Sequence, residues 1–101
     1  GERTPNLPDA TASLEGMTLA NSDRQHVARA TVDGLLDLMR FALDAVRALG
    51  VPVRRVLLVG GGAKSTAVRA LAPHALGVVV EVPEPGEYVA LGAAKQAARL
   101  R

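Results

Sequence analysis

Apolar residues, with one threonine among them, recur at three- and four-residue steps through Ala28, Thr31, Leu35, Leu38, Met39, Ala42, Val46 and Leu49. That spacing predicts one buried face of a long helix. Ser22 with Gln25 forms a capping-box pattern, which satisfies free N–H groups at a helix start. Gly50 followed by Pro52 ends the run. On the polar face, Asp37 with Arg40 and Asp44 with Arg47 stand as i,i+3 pairs, each worth about 0.2–0.5 kcal/mol. Gly34 falls inside this helix at a cost of about 1 kcal/mol relative to alanine. Close approach of a neighbouring element is the expected reason, with simple tolerance as the alternative.

The pattern then changes period. Val53–Val59 is apolar on both faces, as a buried strand of a parallel or mixed sheet would be. Ser65–Leu76 is amphipathic with Ser65 or Thr66 near its start, and Pro73 predicts a kink or an end by Ala72. Val78–Val82 reads as a second strand and PEPGE as a turn. Glu87–Leu100 reads as a final helix, with Glu87 in its electropositive first turn. Helix, strand, helix, strand, helix is an α/β arrangement. Residues 1–21 lack periodicity and read as a loop or a disordered lead-in, with a short strand expected around Met17–Leu19.

Composition narrows the partners. Twelve basic against ten acidic residues leave a net charge of only +2, and aromatic residues make up 2%. The only adjacent basic pair is Arg54-Arg55. A nucleic-acid surface usually concentrates basic charge and stacking rings, so none is expected. Cysteine is absent, which removes disulfides and thiol chemistry and is compatible with a cytoplasmic setting. No apolar run reaches the ~20 residues of a membrane span, and no basic-then-apolar leader opens the chain. The first residue is Gly1 rather than Met, and a truncated chain is expected.

Between the first strand and the second helix lie Gly60, Gly61 and Gly62. Strand, glycine loop and helix together make a holder for an anion. Residues without Cβ let a ligand reach the backbone, the first helical N–H groups lack internal partners, and the helix dipole adds positive charge there. A P-loop reading fails, because Ala63 and Leu58 occupy the two positions where glycine is required. The dinucleotide fingerprint G-x-G-x-x-G is met by Gly60 and Gly62, but Ser65 replaces its third glycine. Glu81 lies about where that fingerprint's ribose-binding acid would fall, about 20 residues on. A tight turn without any ligand is the third possibility.

LLVGGGAKS, followed by VEVPEPGEYVALGAAKQAA, resembles the C-terminal end of the FGGY carbohydrate kinases, members of the actin/hexokinase/Hsp70-like ATPase superfamily. GERTP at residues 1–5 resembles the lead into that family's second domain, EGMTL at residues 15–19 the loop after it, and ARATVDGLL at residues 28–36 a helix the family usually writes with Glu-Gly. Four motifs in order cover nearly the whole chain. Within the family, the glycine and PEPGE stretches look most like xylulokinases. The resemblance implies a partial actin-like (ribonuclease H-like) ATPase domain. Residues 1–101 would be the C-terminal portion of the second kinase domain, with 1–21 a lead-in loop and 22–101 the nucleotide-facing α/β part.

It further implies that Gly61 and Gly62 bring their backbone to the α-phosphate and that Ala63 and Thr66 flank the adenine. Thr66 stands where family members often carry an amide side chain. ATP, Mg²⁺ and a sugar would be the full-length protein's ligands. The metal would be held mainly by upstream residues, and xylulose and ATP would give xylulose 5-phosphate and ADP. Ala90, Gly92, Ala93 and Ala94 would pack the last helix against the nucleotide layer, and Lys64 reads as a solvated surface lysine. No catalytic or metal-ligating residue is expected within the chain. Asp33 and Asp37 lie on a solvated face, Glu81 and Glu84 read as surface turn carboxylates, and His26 and His74 lack ligand spacing. Alone, the chain is expected to be inactive, to have an incomplete core and to self-associate. A nucleotide-binding module of another actin-like ATPase and a dinucleotide-binding piece of a dehydrogenase are the other readings.

Overall fold

The computed structural model describes residues 1, 2 and 5–100. Arg3 and Thr4, within the GERTP stretch, and Arg101 lie outside the described residues. The order is helix α1 (Arg24–Ala48), strand β1 (Arg55–Leu57), a 3-10 turn (Gly61–Lys64), helix α2 (Thr66–Leu76), strand β2 (Val79–Glu81) and helix α3 (Tyr88–Arg99). Two compact units divide the chain, Gly1–Ala30 and Thr31–Arg101.

In the first unit, Glu2 and Leu7 exchange backbone hydrogen bonds of 2.7 and 2.9 Å in an isolated antiparallel bridge. No strand forms around Met17–Leu19. Asn21 folds that segment into a turn instead, its Oδ1 accepting from the Thr18 amide at 2.6 Å and its Nδ2 donating to the Gly16 carbonyl at 3.1 Å. An asparagine side chain offers the backbone a local alternative to a ladder, and here it prevails. The start of α1 is one residue later than the capping-box pattern placed it. Asp23, rather than Ser22, accepts the amides of Gln25 and His26, while the Ser22 hydroxyl turns back to the Thr18 carbonyl.

The second unit holds a parallel pair of strands in the register Arg55↔Val79, Val56↔Val80 and Leu57↔Glu81. The ladder extends by one bond, from the Leu58 amide to the Glu81 carbonyl at 2.9 Å. The strands are shorter than their apolar runs, and α2 forms the crossover a parallel pair requires. The core consists of Leu36, Leu58, Ala63, Val68, Ala72 and Leu76, with Val32, Met39, Leu43, Val56 and Val80 packed against it. The buried stripe of α1 is therefore Val32, Leu36, Met39 and Leu43. Of the stripe the sequence pattern pointed to, Met39 packs against the core, while Leu35, Leu38, Val46 and Leu49 stay exposed.

Three further expectations are corrected. Pro73 does not end α2, which runs on to Leu76 and closes at Gly77 with φ 61° and ψ 33°. Proline cannot donate to the Arg69 carbonyl, but Pro73 lies on the exposed face while Ala72 and Leu76 anchor the turn in the core. Gly34 has open space where a Cβ would stand, so tolerance, not close packing, explains it. The small residues of α3 stay exposed rather than packed, and among the described residues none of that helix is buried. Of the expected surface pairs, Arg47 meets Asp44 at 2.9 Å, whereas Arg40 turns to Asp44 at 3.6 Å rather than to Asp37. Arg47 also donates to the Leu76 carbonyl at 3.3 Å, tying α1 to the end of α2.

Candidate functional site

The chain leaves β1 at its C-terminal end and turns at Gly60, whose φ of 90° and ψ of −173° belong to glycine alone. The 3-10 turn follows. The Ala63 amide donates to the Gly60 carbonyl at 3.2 Å and the Ser65 amide to the Gly62 carbonyl at 3.1 Å. Ser65 then caps α2, its Oγ accepting from the Val68 amide at 3.4 Å. The amides of Gly61 and Gly62 have no partner among the described residues. A Cβ built on either glycine would meet nothing within 4 Å. The loop is therefore open. Gly60 is required by conformation, while Gly61 and Gly62 face free space.

Opposite this turn runs the segment from Val82 to Tyr88, leaving the C-terminal end of β2. Between the two lies a cleft of about 300 Å³. Its glycine wall is built from Gly60, Gly61, Ala63 and Lys64, with Arg69 from α2; its other wall is Pro83–Tyr88. The Tyr88 hydroxyl donates to the Glu84 carbonyl, which closes the PEPGE segment into a fixed turn. The cleft opens beyond the carboxyl ends of two parallel strands, where α/β sheets bind their ligands.

Of the four expected site residues, Gly61 and Ala63 lie on the cleft wall. Gly62 and Thr66 are exposed but do not line it. Ala63 is only 5% exposed and places its methyl in the core, so its backbone rather than its side chain is offered to the cleft. Lys64 is exposed at the rim, and Glu84 and Glu87 bring carboxylates to the opposite wall. Arg69, Pro83 and Tyr88 were not singled out from the sequence. The helical period of α2 would have placed Arg69 one turn after Ser65, on the side of the loop. Glu81, the ribose-acid candidate of the dinucleotide reading, is held on the strand by Arg55 at 3.2 Å. Among the described residues, no group of three or more His, Asp or Glu side chains could hold a metal ion.

Residues 1–100 match the C-terminal domain of the FGGY family of carbohydrate kinases. The chain belongs to that family. This FGGY segment is 43% identical to the xylulose kinase of Streptomyces coelicolor over 101 residues, covering 99% of this chain and 21% of that one. It is 35% identical to the glycerol kinase of Halorhodospira halophila over 86 residues, covering 84% of this chain and 17% of that one. The crystal structure of xylulose kinase from Bifidobacterium adolescentis superposes with a TM-score of 0.79 at 58% identity, over 97% of this chain and 19% of that one. The FGGY segment thus spans about a fifth of the length of the xylulose kinases it matches. Its fold is a partial α/β domain of the actin-like ATPase type, a long helix followed by strand, helix, strand and helix. Among the described residues, no helix is long and apolar enough to cross a membrane.

Proposed function

We propose that this chain is the C-terminal portion of the second domain of an ATP-dependent sugar kinase, acting on D-xylulose, and that it supplies the wall holding the adenosine end of the nucleotide. The observation that carries this reading is the open glycine turn. Two adjacent unpartnered amides stand in the turn that leads into an α-helix; Gly61 lines a cleft at the ends of parallel strands and Gly62 is exposed next to it, in a chain of the FGGY family. Backbone N–H groups and the helix dipole both favour a phosphate there. In this reading Gly61 and Gly62 meet the α-phosphate, and Ala63 and Thr66 lie toward the adenine. Xylulose as the sugar rests on the xylulose kinase relatives.

The chemistry is transfer of the γ-phosphoryl group to a sugar hydroxyl, giving xylulose 5-phosphate and ADP. This chain's share of it is positioning. Phosphoryl transfer depends mainly on alignment and charge stabilisation, and a wall that fixes the nucleotide contributes the first. Mg²⁺ would offset charge on the β- and γ-phosphates. The reading assigns the metal, the catalytic base and the sugar pocket to other parts of the kinase. Such an enzyme works where ATP is abundant, in the cytoplasm. The isolated chain is inactive in this reading. It covers its exposed apolar groove by self-association, and neither nucleic acid nor membrane is a partner.

Separate titrations of ATP, ADP and NAD by calorimetry test the reading. Binding of both adenine nucleotides and none of NAD is the expected result. Tighter binding of NAD, or ADP release with xylulose by this chain alone, contradicts it.

A further inference from the structure

The glycine turn has a retainer on α2. Three successive glycines carry no side chains to fix their conformation, and glycine loses the most freedom on ordering. Two features hold the turn from opposite sides. The Ala63 methyl is sunk in the core. On the other side, Arg69 folds back over the start of its own helix and donates from Nε to the Ala63 carbonyl. Arg69 also lines the cleft, and it makes no ion pair with a carboxylate among the described residues. A cation beside the positive end of a helix is unfavourable unless something nearby uses it. Here the guanidinium commits its Nε–H to a backbone carbonyl, a charge-assisted bond that a planar, always-charged group makes well.

We infer that Arg69 is a positioning residue for the nucleotide cleft: by holding the Ala63 carbonyl it keeps the 3-10 turn in the shape that leaves the Gly61 and Gly62 amides free. The inference rests on the nucleotide reading for its consequence, but the grip on the turn can be measured without any nucleotide.

The test compares the 101-residue chain with its Arg69→Met and Arg69→Lys variants. Amide hydrogen exchange is read at Ala63 and Ser65, the two amides that close the turn, and calorimetry gives the affinities for ADP and adenosine. In Arg69→Met, exchange at those two amides rises and ADP binding weakens, each about tenfold, as the loss of one charge-assisted hydrogen bond implies. Adenosine binding stays close to the parent value, and the thermal midpoint falls by no more than the loss of that one bond implies. Arg69→Lys recovers part of both effects, because an ammonium can reach a carbonyl but lacks the rigid, pre-oriented Nε–H donor. Unchanged exchange at Ala63 and Ser65 in Arg69→Met overturns the inference. So does an Arg69→Lys variant that regains full ADP affinity while those amides still exchange fast, since charge alone would then suffice. If the parent chain binds no adenine nucleotide, the proposed function fails, and the exchange measurement still decides the role of Arg69.

Discussion

Asp23 holds His26 twice, accepting its backbone amide at 3.1 Å through Oδ1 and meeting its ring Nδ1 at 2.5 Å through Oδ2. The same Oδ1 accepts the Gln25 amide at 2.9 Å. One carboxylate thus satisfies two of the free N–H groups that open α1. The His26 amide bond, and then its ring contact, hold the Asp23 carboxyl below the usual carboxylate range.

This fixes a pH dependence. A carboxyl with a lower pKa folded than unfolded is protonated more readily in the unfolded chain. Its contribution is complete above the unfolded-state value and is lost as pH falls through the folded-state value. The first turn of α1 should therefore fray in acid below the ordinary carboxylate range. The amide chemical shifts of Gln25 and His26, followed from neutral pH downward, are expected to move together there. Asp23→Asn keeps a capping oxygen and should remove that acid step.

Gly34→Ala should stabilise the chain by about 0.5–1 kcal/mol, because the backbone is helical and a methyl meets open space. Thermal unfolding checks the sign. A destabilising result would mean that something outside the described contacts approaches this face.

The three loop glycines should separate by mechanism. Gly60→Ala forces an L-residue to φ 90° and is expected to destabilise folding by about 1–3 kcal/mol. Gly61→Ala and Gly62→Ala should fold normally and lose ADP affinity, since a methyl there enters the space in front of the free amides. Denaturant unfolding and calorimetry on the same three variants separate the two effects.

Met39, Ala42, Leu43, Val46, Val56 and Leu76 line an apolar groove of about 250 Å³, and Val46 is 41% exposed at its edge. Sedimentation should show self-association of the isolated chain, and Val46→Glu should weaken it. A compact monomer that binds no apolar dye contradicts the expectation.

How much of this was legible in the sequence follows from which interactions are local. Element order, the glycine turn and the PEPGE turn are written in short spacings and survive intact. The face of α1 does not. Leu35 and Leu36 are adjacent and equally apolar, and only the strand pair and α2 decide that Leu36 is buried while Leu35 is 47% exposed. Pro73 was misread for the same reason, since its cost depends on whether the bond it removes faces the core or the solvent. Ser22 and Asp23 are both good caps, and the Thr18–Asn21 turn, by engaging the Ser22 hydroxyl, leaves Asp23 to do it. Gly61 and Ala63 both line the cleft; Gly61 was singled out by the glycine pattern and Ala63 by the family resemblance. Arg69 was not, because its role is a single contact to a backbone carbonyl that no spacing rule encodes.

The central claim is that the bare amides of Gly61 and Gly62 receive the phosphate tail of an adenine nucleotide. Amide-resolved NMR of the chain titrated in parallel with ADP and with adenosine tests it most directly. The account predicts that both glycine amides shift with ADP and stay nearly still with adenosine. Glycine amides that ignore ADP, or that respond equally to adenosine, would contradict it.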